Sequence, residues 1–227
     1  MVDFTAAVKK PFQDTNTLII GVVLGFIPLV NTLTILGFSI KNAQQTLAGK
    51  NKLLKWEDFG DILIKSITGI AIGIVYSLPI LLLGLFLIGS LFVTFASMAP
   101  ALSQTNDLSQ VLPVIAPVLM GAIGSIMILI VLMALTSFIT PMAVMNWAKK
   151  GNIGAAFAFK EVFHKAFNGT YLIAWLLSFA YQFVLAIGFL FAMFIPIIGF
   201  IIGAGLISYL GSVTSYELYA QAYKEIK

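Results

Sequence analysis

Residues 67–98 have the sequence ITGIAIGIVYSLPILLLGLFLIGSLFVTFASM, without a single Asp, Glu, Lys, Arg or His. A helix rises 1.5 Å per residue, so about 20 apolar residues cross the hydrocarbon core of a bilayer. This stretch therefore predicts a membrane-spanning helix. Residues 113–146 and 170–216 lack the same five residue types. They have room for one more long helix and for two further helices, respectively.

Composition places the whole chain in the membrane class. Of its 227 residues, 60% are hydrophobic and 10% are charged, against roughly 25% charged residues in soluble domains. A chain of this length has no room for a typical soluble domain beside its membrane part. We therefore predict an all-α polytopic transmembrane helical bundle that forms a single integral membrane domain over residues 1–227. The absence of cysteine excludes disulfides and cysteine-ligated metals.

The positive charges indicate the orientation of the bundle. All basic residues other than one histidine are lysines, and they fall into four clusters: Lys9 and Lys10; Lys41, Lys50, Lys52, Lys55 and Lys65; Lys149, Lys150, Lys160 and Lys165; and Lys224 with Lys227. The positive-inside rule assigns lysine-rich segments to the cytoplasm. We therefore expect a multi-pass protein of the cell membrane with cytoplasmic N- and C-termini and with the lysine-free connection 99–112 outside. The lysines lie beside apolar spans without a basic-aromatic surface, which favours anionic lipid over nucleic acid as their partner.

Three of the lysine clusters contain an apolar stripe at helical spacing, which predicts interfacial amphipathic helices. Packing against the protein's own spans would give the same pattern. The stripes are Phe4, Val8 and Phe12; Trp56, Phe59, Leu63 and Ile67; and Phe159, Val162, Phe163, Ala166 and Phe167.

Prolines in apolar surroundings predict the helix breaks. Pro28, Pro117 and Pro196 each follow an apolar run and precede another one, and proline suits the first turn of a returning helix. Together with the stripes, this spacing predicts three tandem units of an amphipathic helix plus a hairpin, over roughly 1–50, 51–150 and 151–227. The run 18–27 is only half the length of a span, so it is either re-entrant or part of a short crossing. The prediction is accordingly five full crossings plus a re-entrant segment, or six crossings.

The first third of the chain also carries specific motifs. KPF at residues 10–12, a glycine-containing apolar run, FIP at 26–28 and above all WEDFGD at 56–61 resemble the domain-of-unknown-function family DUF4013. That family consists of small multi-pass membrane proteins, largely archaeal. The resemblance implies the fold class and leaves the function open, because the family has no established activity or catalytic residues.

We find no pattern typical of catalysis, of cofactor binding or of a metal site. The acidic group Glu57, Asp58 and Asp61 is more typical of a solvated helix face than of a cation site. His164 is the only histidine, which favours a residue at headgroup level over a catalytic base. Since the spans contain no Asp, Glu, Lys, Arg or His, proton-coupled transport is disfavoured.

Small and polar residues inside the spans indicate helix packing. Interhelical hydrogen bonding is the expected role of Asn31, Thr32, Thr34, Ser77, Thr136, Gln182 and Thr214. Close packing is expected at three glycine pairs with a spacing of four, namely Gly21 and Gly25, Gly69 and Gly73, and Gly199 and Gly203.

Two functions follow from these patterns. The first is a non-enzymatic protein, without cofactor, that binds lipid or a membrane complex at the cytoplasmic leaflet. Its partners would be anionic headgroups or another membrane protein; the oligomeric state stays open. The alternative is a passive channel or carrier for a small or apolar solute, with the helix break at Pro28 lining the path. The expected lipid or partner surface consists of Lys55, Trp56, Glu57, Asp58, Phe59, Asp61, Lys65, Lys160, His164 and Lys165.

Overall fold

The described part of the chain consists of helices joined by short non-helical segments. A computed structural model describes residues 2–103 and 108–226. The helices are α1 (Phe4–Lys9), α2 (Thr15–Phe26), α3 (Pro28–Leu47), α4 (Phe59–Ser103), α5 (Leu108–Lys150), α6 (Phe159–Ala166), α7 (Gly169–Ala192) and α8 (Ile198–Glu225), with 3-10 turns at Lys10–Phe12 and Ile153–Phe157. The predicted all-α class is confirmed.

Four of these helices are long and apolar enough to cross a membrane: Phe59–Ala96, Ile115–Lys150, Gly169–Ala192 and Gly199–Glu225. The length and apolar composition of these helices therefore identify the chain as a membrane protein. Helix α2 has 12 residues, or about 18 Å, which is less than a bilayer core of about 30 Å. Helix α3 has 20 residues but is polar in its second half. Whether α2 and α3 form a re-entrant hairpin or two crossings stays a prediction.

The chain divides into two compact units. The first comprises Met1–Gly73 and Phe138–Lys227, and the second comprises Ile74–Ser137. The single domain over residues 1–227 and the repeat units with boundaries near residues 50 and 150 stay predictions. The predicted outer connection 99–112 includes residues 104–107, which lie outside the described part of the chain.

The three prolines expected at helix breaks occupy different positions relative to the helices. Pro28 is the first residue of α3, where its missing N–H has no intrahelical partner. Pro196 lies in the turn before α8. The break expected at Pro117 is wrong, because α5 continues through it. A proline there removes a single intrahelical bond near the helix start, which membrane helices tolerate.

The second predicted amphipathic helix begins later than expected. Residues 50–58 are not helical, and α4 starts at Phe59 and continues directly into its span. Asp58 has a φ of 59°, a left-handed conformation that interrupts a helix. Trp56 therefore does not share a helical stripe with Phe59, Leu63 and Ile67.

The core of the first unit lies where α2, α3 and α4 meet α8. The indole of Trp56 stacks on Phe38, with ring centroids 4.0 Å apart, and both rings pack near the buried Tyr209. The Trp56 Nε1–H donates to the Thr17 carbonyl oxygen over 2.9 Å. The loop before α4 is thus anchored in the core by its only aromatic residue.

Glycines let the helix backbones approach closely at two crossings. A Cβ atom on Gly205 of α8 would lie 2.1 Å from the Val22 carbonyl oxygen of α2, and one on Gly25 would lie 2.8 Å from the Gly205 carbonyl oxygen. The internal seam predicted for Gly21 and Gly25 is therefore confirmed. A Cβ on Gly37 of α3 would lie 1.9 Å from the Ile62 carbonyl oxygen of α4. The sequence analysis did not single out this second crossing.

Replacing Gly37 by alanine should destabilise the protein, since the added methyl group would force α3 and α4 apart. We expect Gly37→Ala to lower the free energy of unfolding by about 1 to 3 kcal/mol, the usual cost of overpacking. Gly73→Ala is the control, because a Cβ there meets open space. Thermal unfolding of both variants in detergent measures the difference, and equal transition temperatures would contradict the crossing.

Candidate functional site

A buried ion pair joins the two ends of the chain. Lys10 and Glu217 are 2% and 4% exposed, and the Lys10 Nζ lies 2.5 Å from the Glu217 Oε2. Lys10 begins the 3-10 turn after α1, whereas Glu217 belongs to α8. Charges are rarely buried inside membrane bundles, and where they are, they mark functional or organising positions.

Further hydrogen bonds satisfy this pair. The Lys10 ammonium donates to the Thr46 Oγ1 over 2.7 Å, and the Thr46 hydroxyl donates to the Glu217 Oε2 over 2.6 Å. The Gln221 Nε2 donates to the Glu217 Oε1 over 3.1 Å. Glu217 accepts three hydrogen bonds in total, which offsets much of the cost of burying its charge.

The N-terminal segment is held in position by two helix caps and one tether. The Asp3 Oδ1 accepts from the Ala6 N–H at the start of α1, and the Asp14 Oδ1 accepts from the Thr17 N–H at the start of α2. Hydrogen bonds from Thr17 lower the pKa of Asp14, so this cap stays charged. The Asp3 N–H also donates to the Gln221 Oε1 over 2.7 Å. Both chain ends therefore lie on the same side of the first unit.

A polar cavity opens beside the ion pair. Its volume is about 430 Å³, and its lining mixes charged and amide side chains: Asp3, Lys9, Lys10, Gln13, Asn51, Glu217, Gln221, Lys224 and Glu225, together with Ala6 and Thr46. The size lies within the range of about 300 to 1,000 Å³ that is typical of small-molecule sites. We take this cavity, named the end cavity, as the candidate binding site.

The ion pair makes a distinct prediction for stability. Lys10→Met should lower the free energy of unfolding by about 3 to 5 kcal/mol, because it leaves the Glu217 carboxylate buried without its cation. The double variant Lys10→Met, Glu217→Met should recover most of that loss, since two apolar side chains replace two charges. Unfolding of wild type, both single variants and the double variant gives the coupling energy. Additive losses in the double variant would show that the two charges do not interact.

The third predicted amphipathic segment forms a short helix with two different apolar sides. In α6, Val162 and Ala166 are fully buried, whereas Phe159, Phe163 and Phe167 are 53%, 40% and 63% exposed. The three exposed rings follow one another along the helix surface, with centroid distances of 6.5 and 6.0 Å. We name these three side chains the phenylalanine stripe.

The predicted lipid or partner surface does not form one patch of uniform exposure. Lys55, Glu57, Asp58, Phe59, Lys160 and His164 are exposed, and Asp61 and Lys65 are half-buried. Trp56 and Lys165 are buried, so neither of them is available at the surface. Lys165 instead donates to the Ile226 carbonyl oxygen, and its Nζ lies 4.2 Å from the centre of the Tyr223 ring.

The acidic group of the WEDFGD motif is engaged by lysines. The Lys41 Nζ lies 3.5 Å from the Asp58 Oδ2 and 3.2 Å from the Asp61 Oδ2, and the Lys65 Nζ lies 2.6 Å from the Asp61 Oδ1. Within the described residues, no three His, Asp or Glu side chains come together as a metal ion would require.

Most of the polar residues expected to pack the spans form hydrogen bonds. The Asn31 Oδ1 of α3 accepts from the Ser208 hydroxyl of α8 over 2.6 Å. Gln182 of α7 donates to Ser215 of α8, in a cluster that includes Ser178 and Tyr219. Thr32 and Thr34 instead bond to carbonyl oxygens of their own helix.

No pattern in the sequence predicts that Lys10 pairs with Glu217. In the sequence, Lys10 belongs to the first lysine cluster beside Lys9, and this clustering indicates topology but not burial. Glu217 stands directly after an uncharged run of 47 residues, 170–216, and between two apolar residues. A carboxylate in such a position is a signal for burial, but the sequence alone does not indicate its partner 207 residues away.

The burial of Trp56 can be tested by fluorescence. In the variant Trp147→Phe, Trp175→Phe, the remaining indole of Trp56 should be quenched only weakly by aqueous acrylamide, because it is enclosed by Phe38 and Tyr209. Adding Glu57→Trp at the exposed neighbouring position supplies a control that should be quenched strongly. Equal quenching in both variants would place Trp56 at the surface.

Comparison with known proteins gives one match. Residues 20–197 match the sequence model of the family described as Protein of unknown function (DUF4013). This agrees with the resemblance found in the motifs of the first third of the chain. No curated protein and no solved structure matches the chain.

Proposed function

Since the chain belongs to the DUF4013 family, whose function is unknown, we propose from its geometry that it is a non-enzymatic membrane protein that binds anionic lipid headgroups. The binding takes place at the cytoplasmic leaflet of the cell membrane. The observation that carries the proposal is the phenylalanine stripe of α6. A membrane protein partner would be a second user of the same surface.

The stripe suits the interface between water and lipid. Three exposed aromatic rings on one side of a short helix are costly in water, since burying apolar surface contributes about 25 cal/mol per Å². An amphipathic helix at the headgroup level buries such a face by about 5 to 10 Å. Lys160 and His164 are exposed beside the rings and would meet the headgroups.

The bundle holds α6 firmly enough to present this face. Val162 and Ala166 anchor it by burial, and the Lys165 side chain ties it to the end of α8. Burial lowers the pKa of Lys165, while the nearby Glu161 opposes that effect. The Glu161 carboxylate is itself bonded to Lys150 over 2.5 Å, and this hydrogen bond holds the pKa of Glu161 below its ordinary value. Among the ion pairs of the described residues, none involves Lys160.

The lysine distribution supports the proposed orientation. The end cavity gathers residues of the first and last lysine clusters, Lys9 and Lys224, at the side where the chain ends meet. With that side in the cytoplasm, the lysines face the leaflet that is rich in anionic lipid, and each contributes about 1 kcal/mol of attraction.

The passive channel or carrier is the second candidate. It is supported by the polar cluster of Ser178, Gln182, Ser215 and Tyr219 inside two spanning helices. These side chains bond to one another across the interface of α7 and α8. Interhelical packing accounts for them without a pathway, and we therefore favour lipid binding.

The absence of native cysteine allows a direct test with one introduced label. Phe163→Cys, labelled with an environment-sensitive fluorophore and reconstituted in liposomes, should be quenched by brominated lipid. Brominated phosphatidylglycerol should quench more than brominated phosphatidylcholine at the same mole fraction, because Lys160 enriches the anionic lipid around α6. Adding Lys160→Gln should reduce that difference.

The matched control removes the same charge elsewhere. Lys52→Gln, at an exposed lysine with no role in either proposed site, should leave the difference between the two lipids unchanged in the Phe163→Cys background. Quenching of the label by aqueous iodide but not by brominated lipid would overturn the proposed docking of α6. Equal quenching by both lipids would remove the preference for anionic headgroups.

A further inference from the structure

We propose that the end cavity is a binding site for a small organophosphate group, such as the phosphate headgroup of a lipid or a soluble phosphate ester. This inference rests on the end cavity and not on α6, so it is independent of the proposed docking helix.

The hydrogen-bonding capacity of the lining favours an anion. An ammonium group has three N–H donors, and Lys10 uses two of them for Thr46 and Glu217. Glu217 already accepts from Lys10, Thr46 and Gln221, and an oxygen of Asp3 caps α1. Neighbouring positive groups hold the pKa of the third carboxylate of the lining, Glu225, below its ordinary value, so it is charged and balances one lysine. The Glu217 and Asp3 carboxylates are thus largely committed to the protein, whereas the exposed ammonium groups of Lys9 and Lys224 keep donors for a ligand.

The positions of the lysines define where in the end cavity an anion would bind. Lys10 forms the buried wall of the end cavity, and Lys9 and Lys224 are exposed at its rim. Three ammonium groups around one space can each contact a different oxygen of a phosphate, to which lysine binds as a point charge. A single carboxylate has only two oxygens to offer.

The volume and the surroundings indicate more than an inorganic ion. A space of about 430 Å³ holds a ligand of several heavy atoms beyond the phosphate. Gln13 is held in the same lining by its own hydrogen bonds to the Asn51 carbonyl oxygen and the Leu53 N–H, and Asn51 supplies a side-chain amide that suits a hydroxyl group of a glycerol-like ester. Phe4 and Phe12 are exposed on the neighbouring N-terminal segment, as expected for a segment at the level of lipid headgroups.

Isothermal titration calorimetry on the full-length protein in detergent tests the site with three probes. The probes are inorganic phosphate, glycerol 3-phosphate and dihexanoyl phosphatidylglycerol, and glycerol serves as the phosphate-free comparison. We expect wild type to bind at least one of the two esters more tightly than inorganic phosphate, with no heat of binding from glycerol. Binding of the lipid alone identifies a headgroup site, and comparable binding of glycerol 3-phosphate identifies a site for soluble esters.

Variants of the rim lysines distinguish binding in the end cavity from a general effect of positive charge on ester binding. Lys9→Gln, Lys224→Gln should weaken ester binding about tenfold, since two exposed charge contacts are lost. Lys50→Gln, Lys52→Gln loses the same charge at exposed lysines outside the cavity lining and should bind as wild type does. Lys10→Met, Glu217→Met removes the buried ammonium without leaving an unpaired carboxylate and should also bind more weakly.

Two results would overturn the inference: no binding of either ester by wild type, or equal weakening in the rim variant and its control. Neither result bears on α6, because the fluorescence of labelled Phe163→Cys reports a different surface. Conversely, failure of the lipid quenching at α6 leaves the calorimetry of the end cavity intact.

Discussion

The ion pair between Lys10 and Glu217 is the interaction on which the first unit depends most. Two charges taken out of water cost several kcal/mol each, and only close pairing with additional hydrogen bonds compensates. Thr46 and Gln221 supply those bonds, so the N-terminal segment, α3 and α8 must come together in one register. A shift of the N-terminal segment or of α8 by a helical turn would leave a charge buried alone, and a shift of α3 would take the Thr46 hydroxyl away from both charges.

Helix α8 is the element that makes this register possible. Gly205 allows α2 to approach α8 closely. The polar residues of α8 form hydrogen bonds to three other helices: Ser208 to α3, Ser215 to α7 and Tyr223 to α5. Such a helix has no single apolar face, because almost every side meets another part of the protein. This explains why α8 is the most buried of the four candidate spans.

The sequence predicted the helical class, the long uncharged spans and the first glycine seam, because length and composition alone determine these features. It did not predict that Trp56 would leave the stripe of Phe59 and Leu63, since its stacking on Phe38 is a tertiary contact with no periodic signal. The helix break predicted at Pro117 is wrong for a related reason. A proline indicates a break only where the chain must turn, and the surroundings of the helix decide that.

The position of the buried charge also bears on where function can lie. Had Glu217 stood in the middle of α8, it would indicate an ion pathway across the bilayer. It stands instead two turns from the C-terminal end of the helix, beside both chain ends and an open polar cavity. Along α7 and the part of α8 before Glu217 the polar side chains are uncharged, and several bond to one another. This buried pair therefore lies beside an open polar space and not in the middle of a span, which supports the proposed binding site over a transport route.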